Sequence, residues 1–186
     1  MISNRIGLLL AAAIVAGSGA AIAAAPAKDQ NAIVDKAGKM RVPSDYQATY
    51  QYLGTWAVAA DADKGSKEMH VVFASPGAAA AHQKSGNFAD GTVLVKEVYE
   101  AATGGMTTGT VSHSSKLKGW FVMVRDSKDS YKGNPLWGDG WGWSWFDAAD
   151  PIHTTTSNYL SECQGCHVPA RTTEWIYKKG YPPLAK

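Results

Sequence analysis

Cys163 and Cys166 are the only cysteines in the chain, and His167 directly follows the second in Cys-Gln-Gly-Cys-His, residues 163–167. Two thiols at this spacing can do few things. A disulfide across so short a loop adds little stability. A thioredoxin-type dithiol needs a βαβ setting and no following histidine, and zinc needs a second ligand pair that the sequence lacks. The spacing instead suits covalent haem c: the thiols add across two vinyl groups at one porphyrin edge, and the adjacent imidazole comes to lie beneath the ring as an iron ligand. The motif occurs once, so one haem c is expected, tied through Cys163 and Cys166, with His167 on the metal. Residues 157–162, Ser-Asn-Tyr-Leu-Ser-Glu, read as a helical turn leading in, and Pro169 stops regular helix soon afterwards.

The start of the chain agrees with such a cofactor. Arg5 precedes an apolar run from Ile6 to about Val15, then small residues lead to an Ala-rich site near residues 23–25. That is the layout of a secretory signal peptide. The alternative is an uncleaved membrane anchor, but the run falls short of the roughly 20 apolar residues a span requires. Residues 1–25 are therefore expected to be removed on export, leaving one domain, 26–186, without a membrane span. The 18 Lys and Arg against 16 Asp and Glu form no basic stripe, which argues against nucleic acid. Seven Trp and eight Tyr offer large flat surfaces, suited to a planar cofactor or to an all-protein core.

The elements that must position the motif alternate in type. Residues 26–40 read as an N-terminal arm or helix. Pro43 with Ser44 or Asp45 starts a short helix through Tyr52, ended by Gly54. Residues 55–60 and 68–75 read as strands around a charged turn. A helix follows, with Ser75 as cap, Pro76 in the first turn and Gly86 at the stop. Residues 92–99 are the strongest strand, rich in β-branched side chains. A Gly/Thr turn over 102–110 then leads to strands at 110–115 and 119–127. In 141–147 alternation puts Trp141, Trp143 and Trp145 on one side, Gly142, Ser144 and Phe146 on the other. These trends predict an α+β domain: an antiparallel β-sheet, a few flanking helices and a haem attached near the C-terminus.

Three stretches, residues 85–100, 140–146 and 163–177, together resemble the cytochrome P-460 and cytochrome c′-beta family. The resemblance implies a periplasmic, homodimeric protein with a five-coordinate haem, His167 below the iron and an open face above. It implies a periplasmic redox partner as well. In the P-460 branch a strand lysine is joined to the porphyrin edge and hydroxylamine is oxidised, largely to nitrous oxide. The matching position here is Lys96. The c′-beta branch lacks that bond and binds nitric oxide and similar gases.

Periodicity gives Lys96 a setting of its own. Leu94, Lys96 and Val98 share one strand face, while Val93, Val95, Glu97 and Tyr99 share the other. An ammonium between apolar neighbours is costly unless paired or chemically altered. The alternatives are a neutral amine facing the haem, or a side chain that snorkels to solvent or pairs with an acid. As proton acceptors, Glu97 lies on the wrong face of the strand, while Glu100 and His113 are candidates of equal standing. Met69 or Met123 could close the iron as a second axial ligand, as could His70, His82, His113 or His153. His82, in an Ala-rich helix beside Gln83 and Lys84, reads as a surface residue. The tryptophans could line the haem edge, fill a core or form a dimer seam. Three functions follow from these alternatives: hydroxylamine oxidation, gas binding without turnover, and six-coordinate electron transfer.

Overall fold

Residues 33–62 and 64–185 are described by the computed structural model, so the expected leader, 1–25, lies outside the described residues. Six strands form one antiparallel sheet: β1 (Gln51–Ala59), β2 (Ser66–Ala74), β3 (Val93–Met106), β4 (Gly109–Arg125), β5 (Trp137–Gly138) and β6 (Trp141–Asp147). Their spatial order is β1-β2-β3-β4-β6-β5. Two short helices flank it, α1 (Tyr46–Thr49) and α2 (Ala78–Ser85). The expected α+β antiparallel architecture is what the chain adopts.

The sheet has two buried faces because β3, β4 and β6 alternate apolar residues on both sides. Val93, Val95, Val122, Val124 and Phe146 pack beneath the N-terminal segment and α1. Leu94, Met123, Trp141 and Trp143 pack on the opposite face, against α2 and the C-terminal stretch. Trp141 and Trp143 are almost wholly enclosed. Each contributes about 4–6 kcal/mol of gross apolar burial, before the entropy of ordering is subtracted.

Several local expectations need correction. The described end of the N-terminal arm is a turn closed by a Val34–Met40 bridge, not a helix. α1 stops at Thr49, and Gly54 lies inside β1. A Cβ at Gly54 would sit 2.1 Å from the Gly180 carbonyl oxygen, so close approach to the C-terminal segment is the reason for glycine there. α2 is entered through Gly77 in the left-handed conformation, with no side-chain cap. Ser75 instead accepts a hydrogen bond from the N–H of Val93 at 3.0 Å and anchors the start of β3. The expected stop at Gly86 holds. The expected Gly/Thr turn is mostly strand: β3 runs on to Met106 and β4 begins at Gly109. Residues 110–115 and 119–125 are thus one long strand, with register irregularities facing Val98 to Ala101.

Candidate functional site

The Cys-Gln-Gly-Cys-His motif lies on a helical stretch that tightens along its length. It is wide-pitched over Leu160–Gln164, α over Gly165–His167 and 3-10 over Val168–Thr173. Glu162 starts it by accepting hydrogen bonds from Ser157 Oγ at 2.6 Å and from the N–H groups of Ser157 and Asn158. Regular α-helix ends before Pro169, as its missing N–H requires. Both cysteines are free thiols, Cys163 buried and Cys166 exposed. Burial pushes the Cys163 pKa up to about 11, so the sulfur stays protonated.

His167 Nδ1 lies 2.6 Å from the carbonyl oxygen of Trp175. A carbonyl only accepts, so Nδ1 carries the hydrogen and Nε2 keeps its lone pair. Burial lowers the pKa of this imidazole, the Trp175 bond opposes that shift, and Lys96 lowers it further. Trp143 meets the ring edge-on at 4.9 Å. The carbonyl reaches His167 because Glu174 and Trp175 both adopt left-handed backbone, φ 58 and 66. That is unusual for a bulky residue. Glu174 anchors the turn: its carboxylate pairs with Arg125 at 3.3 Å and accepts from the Phe88 N–H at 3.1 Å. Its carbonyl accepts from Trp141 Nε1 at 3.0 Å.

Between the helical stretch and the sheet lies a cavity of about 530 Å³. That is within the range of roughly 300–1,000 Å³ common for ligand and cofactor pockets. Cys163, Cys166 and His167 border it on one side. Val72, Leu94, Val98, Phe121 and Met123 make an apolar wall on the sheet side. Lys96 stands in that wall with its Nζ 4.3 Å from the Phe121 ring centre. Among the described residues it has no hydrogen-bond or ion-pair partner. Burial drives its pKa down, although nearby Cys166, Glu68 and Cys163 oppose the shift. The same wall holds His70, whose Nε2 lies 3.0 Å from Glu68 Oε2.

Cys163, Cys166, His167 and Lys96 are therefore brought to one cavity. Of the axial alternatives, Met123 and His70 line it. Met69 pairs with Tyr99 on the opposite face of the sheet and is not in the lining. His113 is exposed and bonded to the Ser114 carbonyl, and His153 is exposed and paired with Asp150. Glu100 is exposed at the edge of the same face, and Glu97 is buried on the other. The surface reading of His82 is corrected: it is 3% exposed, its ring tilted against Phe88 at 4.6 Å and bonded to Lys178 at 2.8 Å. The tryptophans divide their roles. Trp141 fills core, Trp143 packs His167, and Trp145 lines the cavity with its ring tilted against Phe121 at 4.5 Å.

Sequence reasoning missed two features of the site. The Glu68–His70 pair was legible in principle, since residues two apart on a strand share a face. The Trp175 carbonyl carries no sequence signal, because any residue has one. The donor set fits haem c: two thiols three residues apart, one neutral imidazole with a free Nε2 and a flat apolar wall facing them. Among the described residues no cluster of three or more His, Cys, Asp or Glu is placed to hold a metal ion unaided. Nor is any helix among them long and apolar enough to cross a membrane. The family model Cytochrome P460 matches residues 43–178, well over half of the chain. No curated protein matches.

Proposed function

The chain belongs to the cytochrome P460 family, and from that premise we propose an exported mono-haem c cytochrome that oxidises hydroxylamine in the cavity above His167. The observation that carries this reading is Lys96, an amine with no acid partner, facing Cys163, Cys166 and His167 across one cavity. When bound, the haem supplies an iron that takes electrons from a small nitrogenous ligand and passes them to a periplasmic redox partner.

The chain's own residues do the rest. Cys163 and Cys166 tether one porphyrin edge. His167 offers Nε2 to the metal while its Nδ1–H is spent on the Trp175 carbonyl, which fixes the ring and makes the free nitrogen more electron-rich. Val98, Phe121 and Met123 keep bulk water from the opposite face, which strengthens every electrostatic contact there. Lys96, whose pKa burial lowers, is the amine that would add to the edge of an oxidised porphyrin as a third tie, an N–H and a ring C–H proton leaving as the bond forms. In this reading residues 1–25 direct export to the periplasm, and the protein works as a homodimer.

Intact mass and peptide mapping of the holoprotein test the assignment. Three haem attachments, at Cys163, Cys166 and Lys96, together with nitrous oxide formed from hydroxylamine, are expected. Two attachments, an ordinary haem c spectrum and no turnover would transfer the protein to the gas-binding reading. The largely apolar wall suits that second reading, because a neutral diatomic such as nitric oxide needs no polar partner there. Met123 is the remaining methionine that could close the iron, and Met123→Ala is expected to leave the spin state unchanged.

A further inference from the structure

His70 is an ionisable group in the cavity wall with no part in the reading above. It stands on β2 across from Val98, and the next cavity-facing pair along is Val72 with Lys96. Three strand spacings, about 14 Å at roughly 4.8 Å each, separate β2 from β6, where Trp143 packs against His167. The two imidazoles thus bound the cavity at different ends.

The contacts of His70 define its protonation. Glu68 Oε2, 3.0 Å away, only accepts, so Nε2 carries the hydrogen and Nδ1 keeps a lone pair. Glu68 Oε1 accepts from Lys118 Nζ at 2.5 Å, which holds the carboxylate ionised. The charged groups around His70 are Glu68 on its own strand, Lys96 and Glu100 on β3, Lys118 on β4 and Glu162 on the C-terminal stretch. On its other side β1 presents Trp56 and no charged residue. Burial lowers the pKa of His70, the Glu68 bond opposes this, and Lys96 and Lys118 lower it further. The side chains of Glu68 and Lys118 are 26% and 43% exposed, so the pair leads from the cavity to water.

We propose that His70 is the proton acceptor for the nitrogenous substrate, with Glu68 as its positioning residue. The proposal rests on the hydroxylamine reading. A proton leaving the N–H or O–H of hydroxylamine is taken on Nδ1. Glu68 Oε2 holds the imidazolium through Nε2–H and stays ionised, and the proton taken on Nδ1 is then lost to water at the rim, which restores the starting tautomer. No electron moves in this relay.

Reduced holoprotein under carbon monoxide gives a readout independent of turnover. The infrared C–O stretch is expected to shift as pH falls between about 8 and 5, because protonated His70 places a positive charge in the cavity. In His70→Gln, which keeps volume and a hydrogen-bond donor, the stretch should not respond to pH. In Glu68→Gln the midpoint should move to lower pH, since the carboxylate that favours imidazolium is gone. His70→Gln should also lower kcat/KM for hydroxylamine by about 10²–10⁴-fold and remove the acid limb of its pH profile. A carbon monoxide adduct with a pH-independent stretch in the unaltered protein overturns the relay alone. Failure to form any adduct overturns the open-face reading beneath it. A low-spin iron that turns high-spin in His70→Leu makes His70 an axial ligand and overturns the proposal.

Discussion

Lys96 and Glu97 are consecutive residues of β3, both set among apolar neighbours, and the fold treats them in opposite ways. Glu97 is 3% exposed and its carboxylate is taken up: Tyr46 Oη donates to it, and Gln47 Nε2 donates at 2.6 Å. Trp120 Nε1 in turn donates to Tyr46 Oη at 2.9 Å. Lys96 projects from the other face with only the Phe121 ring beneath it. A buried polar group whose bonds are all made holds a structure together. One left without partners costs stability and keeps its reactivity. The strand therefore separates a structural face from a chemical face by the two-residue pleat.

The largest effect expected from breaking this contrast is Glu97→Ala. It strands the Tyr46 hydroxyl and the Gln47 amide, and should cost about 2–3 kcal/mol in denaturant unfolding. The haem absorption spectrum should stay as it was, and a spectral change larger than the stability change would mean that the faces are coupled. Tyr46→Phe comes next, at about 1–2 kcal/mol, because Trp120 Nε1 loses its acceptor while Glu97 keeps Gln47. On the chemical face, Lys96→Met should change unfolding free energy by less than about 1 kcal/mol, since it also removes the cost of enclosing an amine. The same variant should lack the third haem attachment in a peptide map. If it instead lost as much stability as Glu97→Ala, Lys96 would be structural after all.

The smallest effect concerns the rim. Hydrogen bonding from Lys118 holds the Glu68 pKa below the usual carboxylate range. The stability this contributes is present above the unfolded-state pKa and is lost as pH falls through the folded value. Glu68→Gln should therefore be a few tenths to about 1 kcal/mol less stable at neutral pH. The gap should close in acid, as thermal melts across pH would show.

How much of this was legible in the sequence follows from the range of the interactions. The haem motif and the Lys96 face were readable because they depend on spacing within one segment. So was the stop at Gly86, where a helix end favours a residue free to turn left-handed. The extent of β3 was not, because Gly104 and Gly105 lie in the ladder opposite Val111 and Thr110 rather than in a turn. The burial of His82 was hidden because its partner, Lys178, lies 96 residues away. The start of α2 was misread for a similar reason: Ser75 bonds forward to Val93 across the sheet instead of capping its own helix.

The oxygen that steers His167 belongs to the main chain of Trp175, in a left-handed turn pinned by Glu174. No exchange of the indole deletes that oxygen, but the ring is buried edge-on against Trp143, which in turn packs His167, so position 175 is held by packing even though its hydrogen bond is not made by its side chain. In the proposed reading the shape of that bend sets how firmly the imidazole is oriented, with the Arg125–Glu174 pair as the lever that holds it.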